Sequence, residues 1–125
     1  MSLQSKWFRG NTRLQQCLVS DPSHVQKGDQ GEHVKLIQQA LIRIDNASID
    51  SSELAQGVYG RTTASAVLAY KNKRNIINRS YQTRADDIVG KMTIKSLDDE
   101  MQPLEAGASG ELFAAGLRPI LGRLT

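Results

Sequence analysis

The sequence predicts an all-α protein, and three observations predict it. Val34, Ile37, Leu41 and Ile44 recur at three- and four-residue steps, which marks one buried face of an amphipathic helix. Two later segments, Gly60-Arg61-Thr62-Thr63-Ala64-Ser65-Ala66-Val67 and Gly90-Lys91-Met92-Thr93-Ile94-Lys95-Ser96-Leu97, repeat one pattern: Gly, basic, any, Thr, two any, small, aliphatic. No long alternation of apolar and polar residues occurs, so β structure is limited to a short pairing.

The first helix is predicted from about Gln30 to Asp45. Gly28 and Gly31 flank Asp29-Gln30, which suits a tight turn. Asp29 followed by Glu32 is a close variant of the capping box. Residues 46–56 form a polar connection with room for a helical turn around Ser52 to Ala55. A second helix starts at Gly60 and runs to about Arg74, with Thr63, Ala66, Val67 and Tyr70 on one stripe. Thr at the third helical position can bond back toward the open first-turn amides. Ile76 and Ile77 anchor a long connection, and a third helix runs from Gly90 to about Met101 with Ile94, Leu97 and Met101 inward.

Before these helices, residues 1–23 form an N-terminal arm too apolar for a linker. Leu14 and Leu18 share one face of a short helix over 11–19, which Asp21-Pro22-Ser23 ends because Pro restricts the residue before it. The arm is expected to pack on the domain at 24–102. Residues 103–125 turn Gly/Ala-rich with scattered leucines, the composition of a flexible tail or linker.

At 125 residues there is chain for one domain plus tails. One Trp, three Tyr and two Phe are too few for a carbohydrate platform of several exposed rings, and a net charge of +3 does not demand nucleic acid. Cys17 is the single cysteine, which excludes an intrachain disulfide. The N-terminal residues lack a signal peptide's apolar run and no segment is long enough to span a membrane. As encoded the chain reads as cytoplasmic, so action at the periplasm or cell wall requires specialised delivery.

The chemistry of catalysis is thin. Cys17 with His24 or His33 makes a poor nucleophile and base, because Cys17 sits inside a helix as a small packed residue. His33, near a helix start, reads as an exposed polar residue. The two histidines have no partners at metal-ligand spacing. Asp86-Asp87 precede a helix N-terminus, where negative charge is favoured, and Asp98-Asp99-Glu100 read as a solvated face. No catalytic residue, metal or cofactor is assigned. Lys71, Lys73, Arg74, Arg79 and Arg84 fall without an intervening acid. This run is read first as a solvated helix end favoured by the helix dipole, then as a contact for an anionic wall polymer, then for a protein, and last for nucleic acid.

The segment from Gly28 to Gln38 resembles the first-helix signature of the peptidoglycan-binding-like domain family, Gly-Ser-x-Gly-Glu-x-Val-x-x-Leu-Gln, with Asp29 for Ser and Ile37 for Leu. The family's second signature, Asp-Gly-x-Phe-Gly-Pro-x-Thr-x-x-Ala-Val-x-x-Phe-Gln, is matched through Gly57, Tyr59, Gly60, Thr63, Ala66, Val67 and Tyr70. Gln56, Arg61 and Lys71 depart from it. The third is matched from Val89 to Leu97 without its first Gly. The resemblance covers residues 24–101. It implies a three-helix bundle acting as a non-catalytic module that attaches to bacterial peptidoglycan, glycan and stem peptide, and brings an effector or hydrolase to it. No membrane is involved, and nucleic acid ranks last among the partners. The implied ligand face combines Tyr59, Arg61 and Thr62 before helix two with Lys71, Lys73, Arg74, Asn75, Tyr81 and Arg84 at its end and beyond. Tyr59 serves either sugar stacking or the core, with the core favoured. Lys73, Arg74 and Arg84 are expected at the surface. The alternative is a protein-interaction adaptor within a secretion or phage-tail assembly, on the same scaffold without wall binding.

Overall fold

Five α-helices, one 3₁₀ turn and no strand make up the residues described by the computed structural model, 2–77 and 85–109. Helix α1 (Thr12–Val19) opens where the Asn11 side chain accepts from the Leu14 N–H at 3.0 Å. It buries Leu14, Cys17 and Leu18, and a 3₁₀ turn at Asp21–Ser23 follows it.

Helix α2 (Glu32–Asp45) buries Val34, Ile37, Gln38, Ala40 and Leu41, while Ile44 is half-buried. Its start differs from the expected capping box. Gly31 is the cap residue, at φ 142°, and no side chain bonds the first turn. The Asp29 carboxylate instead accepts from the Gln26 N–H at 2.9 Å and closes the preceding turn. The helix begins at Glu32, two residues later than the box requires, so Asp29 stands before its cap. Asn46, in the left-handed region at φ 53°, ends the helix by donating to Ile42 and Leu41 carbonyls.

Helix α3 (Ser51–Gln56) buries no residue. It ends at Gly57, where φ is 66° and an added Cβ would stand 2.9 Å from the Gly31 carbonyl oxygen, so only glycine fits without displacement. Helix α4 (Arg61–Arg74) follows, with Gly60 as an N-cap that has no side chain to offer. Glu53 on α3 supplies the missing acceptor. Its carboxylate accepts from the backbone N–H groups of Gly60, Thr62 and Thr63 at 2.9–3.1 Å and from the Thr62 and Thr63 hydroxyls at 2.6 and 2.7 Å. These amides would otherwise be orphaned, and the negative charge meets the positive end of the helix dipole.

Helix α5 (Lys91–Ser109) extends well past the expected end near Met101, passing through Pro103. A prolyl ring removes one helical hydrogen bond and normally kinks or ends a helix. Here the N-terminal arm braces both sides of the break. Asp98 accepts from the Gln4 and Ser5 N–H groups at 2.8–3.1 Å, and Glu105 accepts from those of Lys6 and Trp7 at 2.8 and 3.1 Å and from the Ser5 hydroxyl. Asp98 is thus buried and Glu100 half-buried, which corrects the solvated-face reading; Asp99 alone of the three is exposed. Residues 110–125, most of the expected tail, lie outside the described residues.

Two isolated antiparallel bridges, Val25 with Val89 and Gln30 with Val58, stitch together the turns that precede α2, α4 and α5. The core lies beneath them, formed by Val34, Ile37 and Leu41 of α2, Val67 and Tyr70 of α4, Ile94, Leu97 and Met101 of α5, and Phe8 and Leu14 from the arm and α1.

Two consequences are measurable. Leu41 is fully buried, so Leu41→Ala is expected to cost roughly 2 to 5 kcal/mol; an unchanged denaturation midpoint would contradict this placement. Partial burial raises the Glu53 carboxyl, but the bonds from Thr62 and Thr63 outweigh it and hold the group at about 2, against an ordinary 4.5. A depressed folded value means that this stabilisation is complete above about 4.5 and drains as pH falls toward 2. Urea midpoints followed through that window should fall for the wild type, and Glu53→Gln should start lower and fall less.

Candidate functional site

The implied ligand face divides in two along α4. Tyr59, Arg61 and Thr62 lie at its start and Lys71, Lys73, Arg74 and Asn75 at its end, roughly 15 to 20 Å apart at the α-helical rise. Tyr81 and Arg84 lie outside the described residues, as does Arg79.

At the start of α4, Tyr59 is buried and its hydroxyl donates to the Asp87 carbonyl. Burial, reinforced by Asp87 and Asp86, pushes the phenol up. Its ring therefore serves the core. The Thr62 hydroxyl donates to Glu53 and accepts from the Asp50 N–H at 3.0 Å, so its main bonding capacity is used within the fold. Arg61 is exposed.

At the other end, two of the cations are structural. Lys71 is 6% exposed, and its ammonium donates to Asp86 at 2.6 Å and to the Ile88 carbonyl at 2.8 Å. Arg74, expected at the surface, is half-buried because its guanidinium bridges two helices. It donates to both Asp45 oxygens at 2.9 and 3.2 Å and to both Glu100 oxygens, and it stacks 3.8 Å from the Tyr70 ring centroid. This planar fork matches carboxylates on two sides in a way a lysine cannot. The hydrogen bond from Arg74 is the largest cause holding Glu100 below the usual carboxylate range, and the same bond raises Arg74. Asn75, at φ 55°, caps α4 in the left-handed region and is exposed.

Lys73 is different. Its side chain is 62% exposed, with the ammonium 3.9 Å from an Asp45 oxygen already claimed by Arg74. It stands at one end of a shallow groove of about 220 Å³, lined by Asp45, Ala47, Ser48, Ser65, Ala66 and Ala69. Ser65, Ala69 and Lys73 follow at four-residue steps along α4, and Arg61 sits one turn before Ser65. The wall opposite is the end of α2 and the connection leading to α3. Sequence reasoning missed this groove. Its signal was the small size of Ser65, Ala66 and Ala69 on α4; Ala66, expected on the buried stripe, is half-buried and lines the groove as well as touching the core.

The remaining reactive groups are withdrawn. Burial pushes the Cys17 thiol up to about 11, and its S–H donates to the Val89 carbonyl at 3.4 Å. His33 is half-buried rather than exposed, and burial, then Arg13, lowers its affinity for a proton. Among the described residues no three His, Cys, Asp or Glu side chains group as a metal site would require, and no helix is long and apolar enough to cross a membrane. A scan against protein-family models and searches of curated proteins and of solved structures found no match to this chain.

The contrast between neighbouring cations is directly testable. Lys73→Ala should leave stability within about 0.5 kcal/mol of wild type, as for an exposed pair. Arg74→Ala should cost on the order of 1 to 3 kcal/mol by stranding two partly buried carboxylates. Equal effects in thermal denaturation would refute the division between an exposed and a structural cation.

Proposed function

We infer that this chain is a non-catalytic module that attaches to bacterial peptidoglycan and holds an effector or hydrolase beside it, on a scaffold of the three-helix peptidoglycan-binding-like type. The observation that carries this reading is the convergence of the three family-like segments. Far apart in sequence, the turns before α2, α4 and α5 are joined by the bridges Val25–Val89 and Gln30–Val58 and by reciprocal bonds in which Gly28 donates to Tyr59 and Tyr59 to Asp29. The segments that resemble the family are the ones that hold the fold together. Such a module works by raising the local concentration of what it carries. The groove with Lys73 is a concave surface on this face, and among the described residues Arg61 and Asn75 are the other exposed members of the implied face.

A second reading, a protein-interaction adaptor in a secretion or phage-tail assembly, is favoured by one observation. Lys71 and Arg74 are consumed inside the fold, which thins the charge left for an anionic polymer, and the Thr62 hydroxyl is spent on Glu53.

Retention on purified insoluble peptidoglycan separates the two. The wall-binding reading expects the protein in the pellet, release as salt approaches 1 M and screening shortens to about 3 Å, and weaker retention for the double change Arg61→Ala with Lys73→Ala at unchanged helicity. No retention at any salt would favour the adaptor. Release of soluble wall fragments by the purified chain would defeat the non-catalytic assignment.

A further inference from the structure

We propose that the groove beside α4 recognises the peptide of the wall polymer rather than its sugar chain, binding a short segment with methyl-sized side chains and a free terminal carboxylate at Lys73. This rests on the wall-binding reading.

The lining sets the side-chain size. Ala47 and Ser48 face Ser65, Ala66 and Ala69, so the walls present methyl and hydroxymethyl groups that let another backbone approach closely. At about 220 Å³ the groove is smaller than the roughly 300 Å³ at which drug-sized pockets begin, which suits a chain end better than a long polymer. Sugar rings are commonly held on aromatic faces, and the groove contains none. Among the described aromatics, Phe8, Tyr59 and Tyr70 are buried. Trp7 is half-buried, donates its indole N–H to the Leu36 carbonyl at 3.0 Å and lies under Arg43.

Charge sets the polarity. Asp45 accepts from both terminal nitrogens of Arg74, so its 3.9 Å approach to the Lys73 ammonium is the weaker contact. An incoming carboxylate can take Lys73 without stranding Asp45. The chain end therefore lies at Lys73, and the preceding small residues run past Ala69 and Ala66 toward Ser65.

Amide NMR on the full chain tests this with three probes: the synthetic peptide L-Ala-γ-D-Glu-L-Lys-D-Ala-D-Ala, its C-terminal amide, and an N-acetylglucosamine oligomer. Retention on insoluble peptidoglycan is measured alongside. The free-acid peptide should shift the amides of Ala47, Ser48, Ser65 and Ala69, and the oligomer should not. Amidation or Lys73→Gln should weaken binding about two- to fivefold, the range of an exposed ion pair. Ala69→Leu, at an exposed position, should abolish the shifts and keep the helicity. Three results would overturn the proposal and leave wall binding standing: retention without peptide shifts in the groove, groove shifts with the oligomer in place of the peptide, or shifts that ignore Ala69→Leu. Groove shifts with the peptide but no retention would uphold the groove and remove the wall reading.

Discussion

One carboxylate governs where α4 begins. Helix α3 has six residues and buries none of them, so neither propensity nor packing accounts for it; isolated helices of that length do not persist in water. It is held because Glu53 satisfies five donors at the start of α4, and α4 in turn has no cap of its own at Gly60. Each helix completes the other. The pairing also fixes the connection before α3, since the Asp50 N–H is tied to Thr62. Ala47 and Ser48 belong to that connection, so the groove exists because Glu53 is where it is.

A second carboxylate system closes the opposite end of α4. Arg74 sits between Asp45 on α2 and Glu100 on α5, with Tyr70 beneath it donating to Glu100 at 2.6 Å. Burial of the Tyr70 hydroxyl, together with that bond, keeps the phenol protonated. Three helices are thereby locked around one guanidinium. The arrangement neutralises Arg74 locally and leaves Lys73, its chain neighbour, as the side chain that meets solvent. Adjacent residues of like charge thus perform different tasks because a helix points them about 100° apart.

The helices were legible because their information is local. Steps of three and four placed Val34, Ile37 and Leu41, then Ile94, Leu97 and Met101, on faces that prove buried. What escaped was information carried by distant partners. Glu53 lies seven residues before Gly60 in a polar stretch, and only the uncapped Gly with two following threonines hinted that an outside acceptor was needed. Lys71 and Arg74 read as part of a basic surface run because Asp86, Asp45 and Glu100 are remote in sequence. The sequence places the end of the last helix near Met101 because the amides that brace its continuation belong to residues 4–7. The Asp29–Glu32 box failed for a local reason: the cap falls at Gly31, two residues past Asp29, whose carboxylate closes the preceding turn instead. Of the candidate face, Lys73 and Arg61 were named from the sequence, whereas the walls of the groove were hidden, since alanines and serines carry no signal until a neighbouring element turns them into a groove.

The clasp between residues 4–7 and the carboxylates of Asp98 and Glu105 has a consequence for how the protein comes into being. These contacts join positions more than ninety residues apart. During synthesis the arm emerges early, and the backbone N–H groups of residues 4–7 must wait for their carboxylate partners until nearly all of α5 has left the ribosome. Helices α2 to α4 can assemble in the meantime from nearer contacts, whereas the closing contacts span the longest stretch of chain among the hydrogen bonds of the described residues. The seam between the arm and α5 is therefore the part of the described fold that synthesis can complete last.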